Sequence, residues 1–156
     1  MHQKWLTLLT VACGTFMATL DASIVNVALP SITTAMNSAL SHSRWVVIAY
    51  LFSITSLLLL FGKVADIISR RSVFKLGFLT FSIGSLLCGL ATTINQLVLF
   101  RTMQGCGAAM LMANGPAIIT SSFAANERGK ALGFLSMAVS IGLALGPTIG
   151  GILVRL

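Results

Sequence analysis

The chain has 156 residues, of which 56% are hydrophobic and only 8% are charged, and its mean hydropathy is +0.97. This composition leaves too little polar surface to cover a water-soluble globule of that length. The formal net charge of +7 would suggest a nucleic-acid partner in a soluble protein. Here the basic residues lie in short segments between apolar spans, so the expected partner is the lipid bilayer and no nucleic acid.

Five apolar segments are long enough to cross a hydrocarbon core of about 30 Å, which takes about 20 helical residues. In chain order they cover approximately residues 5–29, 45–62, 76–94, 97–121 and 131–154. Pro30 is expected to end the first helix, because proline cannot continue the helical hydrogen-bond ladder. The turn from Thr92 to Gln96 is so short that the third and fourth helices must be antiparallel neighbours. The sequence therefore predicts an all-α membrane protein with five transmembrane helices.

The basic residues indicate how these helices are oriented. Arg44 and Arg155 fall on one side of the predicted spans, and seven basic residues fall on the other: Lys4, Lys63, Arg70, Arg71, Lys75, Arg128 and Lys130. Cytoplasmic loops carry an excess of Lys and Arg, so this pattern predicts a cytoplasmic N-terminus and a multi-pass protein of the plasma membrane.

Asp21 and Arg101 lie inside predicted apolar helices, at depths that differ by about one helical turn. A long guanidinium can span that difference, so a direct or water-mediated pair is expected. Charged residues at membrane depth usually mark ion or substrate pathways. The alternative is a pair that only neutralises itself and holds two helices in register.

The remaining motif candidates are small residues and loop charges. Ala138, Gly142, Gly146 and Gly150 recur at every fourth position of the fifth helix, with Pro147 and Gly151 beside them, which predicts a close packing surface with a bend. The segment from Gly62 to Lys75 is expected to be a polar loop, with Asp66 four residues before Arg70. Glu127 and Arg128 offer similar chemistry in another loop, and pairing between the two loops is a candidate inner gate.

No catalytic or metal site is expected, since no metalloprotease helix, phosphate-binding loop, nucleophile elbow or Cys/His cluster occurs in the sequence. His2 and His42 are isolated. Cys13, Cys88 and Cys106 lie within apolar spans and are expected to be small core residues.

Four segments of the sequence contain most of these motif candidates: LDASIVNVALP at residues 20–30, GKVADIISRR at 62–71, RTMQGCGAA at 101–109 and GLALGPTIGG at 142–151. In this order they resemble the signature motifs of the major facilitator superfamily, and most closely the fourteen-helix branch of its proton-coupled drug antiporters. Three residues depart from the usual motifs: Ser23 stands where threonine is usual, Ile67 where arginine is frequent and Ser69 where glycine is frequent.

The resemblance implies roles for individual residues. It assigns proton coupling to Asp21 and Arg101. It assigns an inner gate to the loop motif, with Gly62, Asp66, Arg70 and Arg71. It assigns an antiporter packing surface to the fifth helix, with Gly142, Gly146, Pro147, Gly150 and Gly151. Asn26, Gln104 and Asn114 are candidates either for a substrate cavity or for hydrogen bonds between helices. The energy source would be the proton gradient, with no cofactor.

Members of this family have twelve or fourteen helices in two halves of six, so this chain is expected to be an N-terminal portion that lacks its C-terminal helices. The leading prediction is a proton-coupled efflux transporter for drug-like or lipophilic small molecules. The alternative is a membrane-embedded interaction protein or an inactive truncated transporter.

Overall fold

In the computed structural model of this chain, residues 2–155 are described and form five helices. The side chains of His2 and Arg155 lie outside the described residues. The helices are α1 (His2–Ala35), α2 (Leu40–Ile67), α3 (Arg70–Gly89), α4 (Ile94–Ser122) and α5 (Arg128–Arg155). The predicted number of helices is confirmed, whereas most of the predicted ends differ.

The prediction that Pro30 ends the first helix is wrong, because α1 continues through Pro30 to Ala35. A proline removes one hydrogen bond of the ladder but fits the helical φ, so a long helix can continue past it. The hydroxyl groups of Thr33 and Thr34 donate to the carbonyls of Leu29 and Ser31 in this stretch. Helix α1 is therefore 34 residues long.

The expected polar loop between Gly62 and Lys75 is also mostly helical. Helix α2 runs to Ile67 and α3 begins at Arg70, so only two residues connect them. Ser69 has an extended backbone and its side chain accepts a weak hydrogen bond from the Ser72 backbone N–H at 3.5 Å, which starts α3. Arg70, Arg71 and Lys75 therefore lie on the first turns of α3, whereas Lys63 lies on the last turns of α2.

The turn between α3 and α4 comes slightly earlier than expected, at residues 90–93. The Thr93 hydroxyl caps α4 by accepting from the backbone N–H of Gln96 at 3.3 Å. Gly77 lies against Met110 and Gly84 against Gln104, which confirms that α3 and α4 are antiparallel neighbours.

Helix α4 is at the centre of the bundle and packs against all four other helices. Among the described residues, α1, α2, α3 and α5 are long and apolar enough to cross a membrane, and α4 is not in that group. Its polar residues Arg101, Gln104 and Asn114 are all buried within the chain. A helix that its neighbours shield from lipid can carry such residues where a lipid-facing helix cannot.

The closest packing divides the bundle into two groups. Helix α4 packs tightly between α2 and α3, while α1 packs tightly along α5. In the second group Gly142, Gly146 and Gly150 all face α1, which confirms the predicted close packing surface of the fifth helix. A Cβ atom at Gly146 would overlap Ser23, so the two backbones approach as closely as glycine allows.

One end of the bundle carries the predicted cluster of basic residues, and we call it the basic end. There the Lys4 ammonium binds the Glu127 carboxylate at 2.6 Å, which places the start of α1 beside the α4–α5 turn. Trp5 packs edge-to-face against Phe123 and Phe134 next to this pair. The other end, called the Arg44 end, carries the α1–α2 and α3–α4 turns.

The three cysteines are free, and their burial differs from the expectation of a core position. Cys13 is exposed on α1, so the prediction that it is a core residue is wrong. Cys88 and Cys106 are half-buried. An apolar helix in a membrane exposes much of its surface to lipid or to other helices, so a position in an apolar span does not imply burial within the chain.

Candidate functional site

Asp21 of α1 and Arg101 of α4 form a direct ion pair inside the bundle. The Arg101 Nη1 atom donates to the Asp21 Oδ2 atom at 2.5 Å. The Arg101 side chain is only 2% exposed and that of Asp21 is 23% exposed. The predicted pair is therefore present without a bridging water, with the arginine fully enclosed and the carboxylate partly accessible.

Gln104 joins these two residues in a closed hydrogen-bonded network, which we call the charge network (Asp21, Arg101 and Gln104). The Gln104 Oε1 atom accepts from Arg101 Nη1 at 2.6 Å, and its Nε2 atom donates to Asp21 Oδ1 at 3.1 Å. Arg101 and Gln104 are three residues apart on α4 and so lie on the same helix face. Of the two roles expected for Gln104, the structure shows the hydrogen bond between helices.

Two further residues contact the charge network, and sequence reasoning did not identify them. The Arg101 guanidinium carbon lies 4.6 Å from the centre of the Tyr50 ring, a cation–π contact. The Tyr50 hydroxyl donates to the Ala18 carbonyl at 3.2 Å, which fixes the ring between α1 and α4. The Cys88 thiol lies 3.7 Å from Gln104 Oε1. The available signal was that Tyr50 is the only tyrosine of the sequence and lies within an apolar span.

Small residues explain how four helices converge at this point. A Cβ atom on Gly105 would lie 2.7 Å from the Tyr50 carbonyl oxygen, so α2 can approach α4 only because residue 105 is glycine. A Cβ atom on Gly84 would lie 2.8 Å from the Gln104 Cα atom, and α3 is close to α4 for the same reason. The glycines thus bring Tyr50 and Cys88 to the network.

The charges of the site balance only as long as Asp21 is ionised. One carboxylate faces one guanidinium, and breaking a buried pair by removing one partner costs about 3–5 kcal/mol in soluble proteins. The Arg101 Nε atom is buried and has no hydrogen-bond partner within the described residues. The Nη1 atom of the guanidinium therefore donates to both Asp21 and Gln104, whereas its Nε atom donates to no described residue.

The gate candidates form separate contacts at the basic end. Arg70 binds Asp66 four residues earlier, with Nη2 at 2.8 Å and Nε at 2.9 Å from Oδ1, as the spacing predicted. Glu127 binds Lys4, and the Arg128 Nε atom donates to the Phe123 carbonyl at 3.2 Å. Pairing between the two loops does not occur in the described part of the chain, because Lys4 takes the Glu127 carboxylate.

The fifth-helix motif divides into packed and free positions. Gly142, Gly146 and Gly150 are buried against α1, and the Ser23 hydroxyl donates to the Leu143 carbonyl at 3.2 Å across this contact. Gly151 lies outside the contact, since a Cβ atom there would meet nothing within 4 Å in the part of the chain that the structure describes. Pro147 is exposed, and α5 continues through it.

The three candidates for a substrate cavity also separate. Asn26 is exposed on α1. Gln104 is fully buried in the charge network, and Asn114 is 1% exposed and donates to the Met110 carbonyl of its own helix at 2.9 Å. Within this chain, Asn26 is therefore the accessible member of the three, and the other two do not line an open cavity.

Comparison with known proteins gives consistent results. The chain is 42% identical over 155 residues to the riboflavin transporter RibZ of Clostridioides difficile strain 630, covering 99% of this chain and 34% of the relative. It is 38% identical over 153 residues to the putative multidrug resistance protein MdtD of Salmonella dublin, covering 98% of this chain and 32% of that protein. The chain thus spans about a third of the length of these curated relatives.

A solved structure shares the fold. The crystal structure of a bacterial homolog of the human lysosomal transporter Spinster, in an inward-facing and unoccupied conformation, matches 96% of this chain with a TM-score of 0.85 at 23% identity. This chain covers 32% of that protein. The family model of the Major Facilitator Superfamily matches residues 11–156. The five helices form most of one six-helix half of that fold, and the chain belongs to the Major Facilitator Superfamily.

Proposed function

We propose that this chain is the N-terminal part of a proton-coupled antiporter that exports drug-like or lipophilic small molecules by alternating access. The single observation that carries the proposal is the charge network, in which a carboxylate and a guanidinium from two helices meet inside an apolar bundle. Ionisable residues at such positions are costly and usually serve transport. The relatives named as transporters support the coarser part of the proposal.

Protonation of Asp21 would give the network a second arrangement. As a carboxylate, Asp21 compensates Arg101 and accepts from Gln104. As a neutral acid it would keep an acceptor oxygen but no charge, so the Arg101 charge would have only neutral close partners, among them Gln104 and the Tyr50 ring. The difference in free energy between the two arrangements can bias inward-open against outward-open states. Each proton that crosses with a potential of 100 mV supplies about 2.3 kcal/mol for this bias.

The packing suggests which parts would move. Asp21 belongs to the group formed by α1 and α5, and Arg101 belongs to the group formed by α2, α3 and α4. A weaker contact between Asp21 and Arg101 would therefore loosen one group against the other. Gly142, Gly146 and Gly150 hold α1 to α5 during such a shift, because their close contact leaves no room for rearrangement.

The substrate class rests on the relatives. MdtD is named a putative multidrug resistance protein, which favours drug-like molecules, and RibZ is named a riboflavin transporter, which makes riboflavin the second candidate. The exposed amide of Asn26 lies on the same helix as Asp21 and is the candidate polar contact for either substrate.

The basic end is proposed to face the cytoplasm of a bacterial cell, because Lys and Arg are in excess there. At that end Gly62, Asp66, Arg70 and Arg71 remain the proposed inner gate.

The test uses a full-length transporter that carries this sequence, reconstituted in vesicles with an imposed proton gradient. Asp21→Asn keeps the shape of the side chain and removes its titration, so substrate movement should no longer depend on the gradient. Glu127→Gln is the matched control, because it also turns a carboxylate into an amide, at a partly exposed pair with Lys4 outside the proposed gate. Gradient-driven transport that persists in Asp21→Asn would remove this residue from the mechanism. Assays with a lipophilic cationic dye and with riboflavin distinguish the two substrate candidates.

The competing proposal is a membrane-embedded interaction protein, or an inactive truncated transporter, in which the ion pair only holds α1 to α4. In that case the unmodified protein would move neither protons nor substrate. Proton flux measured on the unmodified protein therefore separates the two functions.

A further inference from the structure

A cavity of about 200 Å³ lies between the charge network and the Arg44 end of the bundle. Asp21 and Arg101 form part of its wall, together with residues of α2 and α3. Along α1 its lining extends from Asp21 to Ile32, which corresponds to about 16 Å at 1.5 Å per helical residue, and Met36 lines it just beyond the end of α1. The cavity thus connects the depth of the ion pair with one end of the bundle.

The inner part of this cavity is polar. The Arg101 side chain is 98% enclosed, and its Nε atom has no hydrogen-bond partner among residues 2–155. Ser85 and Cys88 of α3 line the same space. A buried charged donor strongly favours a partner, and water molecules in the cavity can supply one while also contacting the Asp21 carboxylate. The volume holds several water molecules, since each occupies about 30 Å³ in the liquid.

The part nearer the Arg44 end is apolar. Val46, Leu97 and Met36 line it, and we call these three residues the collar. Val46 is fully buried and Leu97 is 6% exposed, and both belong to one apolar cluster, with Met36 and Cys88 packed at its edge. Apolar constrictions of this kind gate aqueous paths, because water leaves them when they narrow and enters when they widen.

We infer that this cavity is a hydrated branch through which protons reach Asp21 from the Arg44 end, with the collar as its gate. The inference rests on the proposed function, because it supplies the route for the proton that Asp21 would carry. A hydronium ion transfers its proton to a carboxylate oxygen of Asp21: one O–H bond of the hydronium breaks, the carboxyl O–H bond forms, and a water molecule remains. The residues that line the branch belong to α1 to α4 and to Met36, just after α1.

Titratable groups face Asp21 from three neighbouring helices. They are Tyr50 on α2, Cys88 on α3 and Arg101 on α4. Helix α5 carries its ionisable residues at its two ends only. Among the residues that line the branch in the described part of the chain, Asp21 is the one carboxylate, and it is the group that an arriving proton meets.

Thiol labelling tests the branch without depending on transport. In a full-length transporter whose only cysteine is Cys88, a small charged methanethiosulfonate reagent is applied to membrane vesicles from either side. We expect Cys88 to react from the side of the Arg44 end. A variant with Cys106 as its only cysteine is the matched control, since Cys106 is also half-buried but does not line this cavity.

Widening the collar gives the second readout. Val46→Ala removes about two apolar carbon groups from the constriction, so water should enter it at a lower cost in free energy. We therefore expect the labelling of Cys88 to become about tenfold faster. Val11→Ala is the control, because Val11 is equally buried but lies outside this cavity. Met36→Ala, at the half-buried edge of the collar, replaces Val46→Ala if the latter does not fold.

The inference is overturned if Cys88 stays unreactive from the Arg44 side in the widened variants, or reacts no faster there than Cys106. It is also overturned if Val46→Ala and Val11→Ala change the rate equally. Gradient-driven transport that persists in Asp21→Asn would overturn the proposed function and the use of the branch by protons. The labelling result would still report whether the branch holds water, so the two failures are distinguishable.

Discussion

The charge network predicts a large loss of stability when only one of its two charges is removed. In Asp21→Asn the Arg101 guanidinium stays enclosed, with 2% of its surface exposed, and its close partners are all neutral: the Gln104 oxygen, the Tyr50 ring and the amide oxygen of the new side chain. Leaving a buried charge uncompensated costs about 3–5 kcal/mol. Because neutral partners remain, we expect about 3 kcal/mol, the lower end of that range.

A double-mutant cycle isolates this electrostatic contribution. Arg101→Gln removes the other charge, and the double variant Asp21→Asn with Arg101→Gln leaves two neutral groups that can hydrogen-bond. We expect the double variant to be more stable than Asp21→Asn alone, so the two changes are strongly non-additive. Unfolding of the chain in detergent micelles, followed by helix content, gives the free energies.

The control for this cycle is Asp66→Asn, in which an exposed pair between residues four positions apart is lost. Such pairs contribute about 0.5 kcal/mol or less. The reasoning is refuted if Asp21→Asn and Asp66→Asn destabilise the chain equally, or if the two changes at the network are additive. Either result would mean that the guanidinium finds water or lipid head groups as easily as it finds Asp21.

Three further predictions concern contacts outside the ion pair. Gly146→Ala should destabilise the chain by about 1–3 kcal/mol, because its Cβ atom would overlap α1. Gly151→Ala should stabilise the chain by up to about 1 kcal/mol, because alanine has the higher helix propensity and its Cβ atom meets nothing in the described residues. Thermal unfolding of both variants measures the difference. Tyr50→Phe should lower the free energy of unfolding by about 1 kcal/mol, because one hydrogen bond is lost. Tyr50→Leu should lower it further, because the cation–π contact with Arg101 is lost as well. Equal losses for the two variants in chemical unfolding would contradict this contact. Glu127→Gln breaks a partly exposed pair with Lys4, so its effect should stay below about 1 kcal/mol and shrink further in high salt, as unfolding at two ionic strengths would measure.

The ion pair and the glycine contacts were accessible from the sequence, because their chemistry restricts where they can lie. A charge within an apolar span needs a partner, and Asp21 and Arg101 were the only two such charges at similar depth. Small residues at every fourth position form one helix face, so the close packing of Gly142 and Gly146 could be predicted as well. What the pattern could not give was the identity of the facing helix, which depends on how the whole bundle assembles.

The helix ends and the other partners were not accessible for physical reasons. Hydropathy marks the part of a helix that lies in hydrocarbon, and it does not report how far the helix continues beyond, as at Pro30 and between Gly62 and Lys75. The partner of Glu127 is Lys4, which is 123 positions away in the chain. Several basic residues at the same end could have taken that carboxylate, and only the three-dimensional arrangement decides among them.

The separation of Asp21 and Arg101 in the chain, 80 positions, has a consequence for biosynthesis. At about 5–20 residues per second, a ribosome needs roughly 4–16 s to make that stretch. During this interval the carboxyl group enters the membrane before its counter-ion has been synthesised. A nascent chain in this state carries a carboxyl group in an apolar helix without its guanidinium partner, and the pair can form only after α4 has joined the bundle.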